Sequence, residues 1–331
     1  MKKIMALGDT LTLGVRSSQA KDSGIGGYRL PLWNALNSNG LEVDFVGGLN
    51  HANTFNETSP VTFDSDHMGL PRWGIEDMLN GIVPDGPLQT QNAELNTQDV
   101  NDWMTQYEPD VVLVMLGLND VTLQWRGLDD GARNQTPAEL ADGAIDQLRT
   151  LVQRITASGA QVLLASPPSL FLQLDGVLNA NADANSEASV AALAQRIPQL
   201  AQEFGSNVTF VDIFNEIDID RSVSADGRFL TDEIYNQIAS SWYNALVPVL
   251  DPDADVPTRE KAVVIEAEDF TTISPLFEVE TVDRTQATVL SLKDRRPFQS
   301  SENIAASAST DPGLPAGKYD IILTYFDQAE S

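Results

Sequence analysis

The first 250 residues alternate short apolar runs with longer amphipathic stretches. Each apolar run is aliphatic or β-branched and ends near Gly, Pro or Asp, which is typical of a buried strand. The predicted strands are Ile4–Leu7, Val43–Val46, Val111–Leu116, Gln161–Ala165 and Val208–Val211.

Helical patterns fill the stretches between these strands. The predicted helices cover Tyr28–Asn37, Pro137–Ala157, Ser189–Phe204 and Asp232–Leu246. The second of them is the best marked, because Thr136 is a favourable N-cap and proline suits the first helical position. Alternating buried strands and helices predict an α/β fold with a parallel sheet covered by helices on both faces.

The character of the sequence changes near residue 249, where the segment VLDPDADVPTREK begins. Its acidic residues and prolines predict a linker. Beyond it the patterns predict strands without any long helix, at Val263–Ile265, Phe277–Val282, Thr288–Leu292 and Tyr319–Tyr325. We therefore expect a domain over 1–249, a linker over 250–261 and a small all-β module over 262–331.

Charge and composition exclude several classes of protein. Lys and Arg number 20 against 48 Asp and Glu, so the net charge is −28. Nucleic acid and anionic membrane surfaces are disfavoured as partners, since both require a basic surface. There is no Cys, so neither a disulfide nor a thiol nucleophile is available, and His occurs only at His51 and His67. No apolar run has the length of a membrane span.

The N-terminus shows no signal peptide, because the apolar run over 4–7 is too short. We expect a secreted or extracellular protein whose leader is not part of this sequence, with a cytoplasmic location left open.

Four short motifs follow one another along the chain. Gly8–Thr12 reads GDTLT at the end of the first strand, and Phe63–Gly69 reads FDSDHMG. Gly117–Asp120 reads GLND after the third strand, and Asp226–Phe229 reads DGRF before the last helix. Together they resemble the SGNH, or GDSL, hydrolases, and within them the carbohydrate acetylesterases, over residues 2 to about 249.

The resemblance implies a three-layer sandwich around a five-stranded parallel sheet, and hydrolysis of acetyl esters on polysaccharides without a cofactor. In that family a Ser attacks the ester. A His, which lies three residues after an Asp, accepts the Ser proton. A Ser amide, a Gly amide and an Asn side chain stabilise the oxyanion. The matching residues here are Thr10, Asn119 and Asp226, which we take as the catalytic candidates.

Three positions depart from the family pattern. Thr10 replaces the Ser, Phe229 replaces the His, and Arg72 falls where the oxyanion Gly is expected. Phe cannot accept a proton, and no His lies beyond His67 to replace the base. Loss of a triad base costs several orders of magnitude in rate, and loss of an oxyanion donor about a hundredfold. The sequence therefore predicts a degenerate esterase, or pseudoenzyme.

Five further residues are candidates for substrate binding: Asp9, His67, Arg72, Trp125 and Arg228. The two arginines suggest an anionic sugar, because a guanidinium binds carboxylate or sulfate with two hydrogen bonds. The alternative is that each arginine pairs with a nearby acid. For His67 the alternative is a buried histidine that holds a loop beneath the site. Trp33 and Trp73 are weaker candidates for stacking on a sugar ring.

The segments Val264–Phe270 and Ala316–Tyr325 resemble strands of β-sandwich carbohydrate-binding modules. The resemblance covers only the first half of such a module, so we expect a partial one. It implies a structural Ca²⁺ held by Glu266 and Glu268, whose hard oxygen ligands suit that ion. Solvent-exposed acids on a strand are the alternative.

Three hypotheses remain open. The first is a degenerate SGNH domain that binds or processes a glycan. The second is a working carbohydrate esterase that uses Thr10 as its nucleophile. The third is a non-catalytic structural or adhesive domain of a larger protein that acts on polysaccharides.

Overall fold

A computed structural model describes residues 1–14, 26–50, 63–81, 95–122, 135–169, 180–217 and 230–252, and four short strands between 272 and 309. The chain divides into two compact units, Met1–Ala254 and Asp255–Ser331. Among the described residues, no helix combines the length and apolar character that crossing a membrane requires.

The first unit is built on a parallel sheet. Its strands are β1 (Lys2–Gly8), β2 (Val43–Phe45), β3 (Met68–Gly69), β4 (Val111–Met115), β5 (Gln161–Ala165) and β6 (Val208–Val211). Five of them run in the order β2-β1-β4-β5-β6, and the two-residue β3 also pairs with β1. All five predicted strands are confirmed, with ends that shift by two residues at most.

Helices flank this sheet. They are α1 (Thr10–Leu13), α2 (Arg29–Ser38), α3 (Ile75–Asn80), α4 (Val100–Tyr107), α5 (Leu118–Thr122), α6 (Pro137–Ala157), α7 (Ala180–Ala194), α8 (Ile197–Glu203), α9 (Ile213–Glu216) and α10 (Asp232–Leu250). α2 packs against α10, while α6 packs against α3, α4 and α7. The predicted α/β three-layer fold is confirmed.

The sequence pattern explains why α6 begins and ends as predicted. The Thr136 hydroxyl oxygen accepts a hydrogen bond from the Glu139 amide, and the Glu139 carboxylate accepts one from the Thr136 amide at 2.7 Å. This reciprocal capping satisfies amides that the first turn leaves without a partner. The apolar stripe that includes Leu148, Leu151 and Ile155 is fully buried.

The prediction of one helix over Ser189–Phe204 is wrong, because two helices occupy this region. α7 ends at Ala194 and α8 begins at Ile197, with Pro198 in its first turn. A continuous helix would place the Pro198 ring against the Ala194 carbonyl, and proline has no amide hydrogen for that carbonyl. The break therefore follows from Pro198.

The second unit contains β7 (Thr272–Ile273), β8 (Phe277–Val282), β9 (Ala287–Leu292) and β10 (Ala308–Ser309). β8 pairs antiparallel with β9, and β7 with β10. β8 occupies the predicted range, and β9 begins one residue earlier than predicted. The strands predicted at Val263–Ile265 and Tyr319–Tyr325 lie outside the described residues.

Candidate active site

Three turns meet at one end of the sheet. Gly8, the last residue of β1, lies opposite Met115 at the end of β4 and opposite Gly69 at the end of β3. The turns that follow these strands are therefore neighbours. They carry Asp9 and Thr10, then Arg72, then Asn119. Ligand sites of parallel α/β sheets form at this carboxyl edge.

Thr10 is the first residue of α1 and is partly exposed. Its hydroxyl oxygen accepts a hydrogen bond from the Arg72 backbone amide at 3.1 Å. Asp9 caps the same helix, since its carboxylate accepts from the Leu11 amide at 2.9 Å. The threonine hydroxyl is thus held at the tip of the turn, in contact with a second segment of the chain.

Gly8 permits the close approach that this turn requires. A Cβ at this position would lie 2.1 Å from the Thr12 hydroxyl oxygen and 2.7 Å from the Met115 carbonyl oxygen. No real Cβ tolerates such distances, so only glycine fits between α1 and β4.

The structure places the backbone amide of Arg72 beside Thr10. Arg72 has a φ of 67°, in the left-handed region that glycine favours, and is half-buried. Its backbone amide points to Thr10 as a glycine amide would. This donor belongs to the main chain, so it does not depend on which side chain residue 72 carries.

Asn119 lies in α5 and is buried. Its Nδ2 atom donates to the carbonyl oxygen of Trp73 at 2.9 Å. Trp73 directly follows Arg72 in the sequence. An amide group carries two hydrogens, and this bond uses one of them. Gly117, with a φ of 102°, makes the tight turn that brings Asn119 to the edge of β4.

Asp9 is almost completely buried, with 2% of its surface exposed. The pKa of this carboxyl is raised to about 7, mainly by burial; the hydrogen bond from Leu11 lowers the pKa and the nearby negative charge of Asp120 raises it. Asp120 itself accepts from the Ile75 amide at 3.1 Å and so fixes α5 to the start of α3. A carboxyl that titrates near neutral pH therefore lies next to Thr10.

His67 is fully buried beneath the site. Its Nδ1 atom accepts a hydrogen bond from the Gly69 amide at 2.9 Å, and its main chain bonds to that of Leu49. The imidazole thus shapes the segment that leads to Arg72.

Arg29 was not identified from the sequence, where a charged residue at the start of an amphipathic helix resembles a surface residue. The structure buries it completely. Its guanidinium donates to the carbonyl oxygens of Thr12, Leu13 and Ser65. Burial lowers its pKa to about 10, which leaves it charged at neutral pH.

Two tryptophans named from the sequence pack within the protein. Trp73 is fully buried, and its ring centre lies 6.2 Å from that of Trp103. It is therefore a core residue, and its stacking on a sugar ring is ruled out. Trp33 is partly exposed and packs edge-on against Phe63.

Several predicted site residues lie outside the described residues. They are Trp125, Asp226, Arg228, Phe229, Glu266 and Glu268. The acidic pair and the Ca²⁺ site predicted for it remain predictions. Within the described part of the chain, no group of three or more His, Asp or Glu side chains is arranged to hold a metal ion.

Comparisons with known proteins agree with this architecture. The GDSL-like Lipase/Acylhydrolase family matches residues 6–238, more than two thirds of the chain. The chain therefore belongs to this family, and its first unit is a GDSL-like acylhydrolase domain.

Similar proteins include a multidomain esterase of Ruminococcus flavefaciens, 28% identical over 244 residues. The match covers 72% of this chain but only 28% of that relative. A solved family 3 carbohydrate esterase of Clostridium thermocellum is 25% identical, with a TM-score of 0.49, over 76% of this chain and 98% of its own. An aryl esterase of M. smegmatis is 17% identical, with a TM-score of 0.47, over 76% and 100%.

Proposed function

We propose that the first unit binds an acetylated carbohydrate and hydrolyses its ester slowly, with Thr10 as the nucleophile. The observation that carries this proposal is the hydrogen bond from the Arg72 backbone amide to the Thr10 hydroxyl oxygen. The hydroxyl and a fixed main-chain donor meet at the position where the family places its reacting serine and oxyanion amide.

The half of the site that stabilises negative charge is retained. Attack of the Thr10 oxygen on an ester carbonyl moves the carbonyl electrons onto its oxygen. The donors for that oxyanion are the second hydrogen of Asn119 Nδ2, the amide of Thr10 itself and the Arg72 amide. The single hydrogen of the Arg72 amide must move from the Thr10 oxygen to the oxyanion as the new bond forms. Fixed donors of this kind are usually the largest single contribution to acyl transfer.

The half of the site that moves the proton is reduced. The sequence has Phe229 where the family has its general base, and no histidine follows His67. His67 is buried and its Nδ1 atom already accepts from Gly69. Enzymes that lose a triad member keep a residual acceleration of about 10³–10⁴ over water from the oxyanion donors and binding. We therefore expect slow turnover in which hydroxide from solvent takes the Thr10 proton and the sugar hydroxyl leaves as an acetyl-threonine forms. Water then hydrolyses this ester to acetate and restores the Thr10 hydroxyl.

The substrate class rests on the relatives and on charge. Several similar proteins are named as esterases, one of them as a carbohydrate esterase. Arg72 is a cation at the site of a protein with net charge −28, which favours a carboxylated or sulfated sugar. Polysaccharides of this kind are extracellular, so the proposal includes a secreted protein.

The test is hydrolysis of 4-nitrophenyl acetate by the purified full chain, by Thr10→Ala and by Thr10→Ser. We expect the parent to exceed Thr10→Ala by at least about tenfold, since alanine has no hydroxyl. Thr10→Ser should equal or exceed the parent, because it removes a methyl group that crowds the attacking oxygen. A parent no faster than Thr10→Ala overturns the proposal for this ester.

A further inference from the structure

Arg29 is a buried charge that the proposed reaction does not use. It is the first residue of α2 and has no exposed surface. Its Nε atom donates to the Thr12 carbonyl oxygen at 3.1 Å and Nη2 to that of Leu13 at 3.2 Å. Nη1 donates to the Ser65 carbonyl oxygen at 2.7 Å. Three main-chain acceptors from two separate segments therefore converge on one guanidinium.

The first two bonds fix the helix that carries Thr10. α1 has only four residues, too few to be stable by itself. The last carbonyls of a helix have no partner within the helix. Here Arg29 supplies one to Thr12 and to Leu13, and a cation at this end also suits the helix dipole. The position of α1 therefore depends on Arg29.

The third bond fixes the segment that carries the opposing donor. Ser65 lies just before His67, and the chain continues through β3 into the turn at Arg72. β3 pairs with the end of β1, and Gly69 packs closely against the backbone of Leu13. A single planar guanidinium thus joins the two segments whose meeting point is the hydrogen bond from Arg72 to Thr10.

We propose that Arg29 is a positioning residue, which sets the spacing between the Thr10 hydroxyl oxygen and the Arg72 amide by holding α1 against the segment after Ser65. This inference rests on the proposed function in so far as it concerns catalysis. Arg29 acts through main-chain carbonyls and has no contact with substrate. Its planar set of donors is specific to arginine, because a lysine ammonium cannot reach all three acceptors in the same geometry.

The kinetic test compares Arg29→Met and Arg29→Lys in the full chain. Small misplacements of reacting groups cost up to about a hundredfold in rate. We expect kcat of Arg29→Met on 4-nitrophenyl acetate to fall at least about tenfold, with KM within about twofold. Arg29→Lys should recover part of kcat, because it keeps the charge and some of the bonds. Unchanged kcat in folded Arg29→Met overturns the proposal.

Ile155→Ala is the matched control for loss of stability alone. Ile155 is fully buried in the last turn of α6, which leads to the start of β5 at the opposite edge of the sheet. We expect this variant to lose stability in denaturant and to keep the parent kcat and KM. A fall in kcat as large as that of the Arg29 variants would overturn a specific role for Arg29.

Amide hydrogen exchange provides a readout that does not depend on activity. In Arg29→Lys, which is the more conservative variant if Arg29→Met does not fold, the Arg72 amide should exchange at least about tenfold faster than in the parent. If exchange is faster in Arg29→Lys but the parent shows no hydrolysis that depends on Thr10, the proposed function is wrong and the positioning role is correct. Unchanged exchange of the Arg72 amide overturns the positioning role, whatever the activity.

Discussion

The backbone amide of Arg72 donates to the hydroxyl oxygen of Thr10 at 3.1 Å, across 62 residues of sequence. The contact joins the turn after β1 to the turn after β3. The glycine that the family resemblance leads us to expect at position 72 would present the same main-chain donor. The consequence of the substitution must therefore be sought in the side chain and in backbone strain.

Arg72→Gly tests the role of the side chain separately from that of the backbone amide. Glycine adopts a φ of 67° without strain and keeps the backbone donor. We expect hydrolysis of a neutral acetate ester to stay within about twofold of the parent. Hydrolysis of an acetylated, carboxylated sugar should fall by about tenfold, because a charged hydrogen bond is lost. The measurement is kcat/KM on both esters.

Glu108→Gly is the control for that variant. Glu108 is the other described non-glycine residue with positive φ, at 48°, and it ends α4 away from the site. Glu108→Gly should change stability through the same relief of strain and leave the hydrolysis rates of both esters unchanged. Equal losses on the neutral and the charged ester in Arg72→Gly would contradict a selective role for the side chain.

Asn119→Ala tests the second donor. Removal of one oxyanion donor typically costs about 10²–10³ in kcat, so we expect at least a tenfold loss with little change in KM. The lost bond to the Trp73 carbonyl should also cost about 1 kcal/mol of stability. Thr122→Val, in the same short helix, removes only a bond to the Leu118 carbonyl and should keep the parent kcat. If both variants lose kcat equally, Asn119 acts only through the fold.

Asp9 makes stability depend on pH in an unusual direction. Its folded pKa of about 7 lies above its ordinary value of 3.8, so the folded state binds the proton more tightly than the unfolded state. The stability that protonated Asp9 contributes to the folded state is therefore lost progressively as pH rises from about 4 to about 7. Asp9→Asn keeps an oxygen for the Leu11 amide and carries no charge. We expect it to stabilise the protein at pH 8 by roughly 2–4 kcal/mol and hardly at all at pH 4.

Asp110→Asn should show the opposite trend in the same denaturation series. Bonds from the Lys3 amide and from Lys2 lower the pKa of Asp110. Its contribution is therefore present above its ordinary pKa and lost in acid. An Asp9→Asn gain that does not vary between pH 4 and pH 8 would show that Asp9 is not the titrating group.

Two glycine substitutions test the close packing of α1 on β4. Gly8→Ala forces a Cβ against the Met115 carbonyl and should destabilise the fold by at least about 2 kcal/mol. Gly143→Ala, on the exposed face of α6 with open space around its Cβ, should stabilise it by about 0.5–1 kcal/mol. Equilibrium denaturation of both checks this, and a neutral Gly8→Ala would contradict the turn geometry.

Much of the fold could be predicted from local patterns. Strong signals mark β1, β4 and β5, which are nearly continuous buried runs, and α6, which has the cap at Thr136 and its proline. β3 has two residues and α1 has four, too few for any period to be visible. These elements depend on long-range pairing with β1 and on side chains such as Arg29.

The site was predictable only in part for a similar reason. The motifs point to Thr10 and Asn119, but a motif does not tell whether a donor is main chain or side chain. The Arg72 amide could be recognised only from its position. Arg29 has no sequence signal, because its burial depends on three carbonyls distant in sequence.

The central claim is that the oxyanion-binding half of the site remains and the general base is lost. Its most direct test is the dependence of kcat/KM on pH from 5 to 9, for the parent and for Phe229→His. The account predicts that the parent rate rises with hydroxide concentration without levelling off. Phe229→His should be faster by about a hundredfold at pH 7 and level off as the new histidine deprotonates. A parent that itself levels off between pH 6 and 7, or a Phe229→His variant that is no faster, would contradict it.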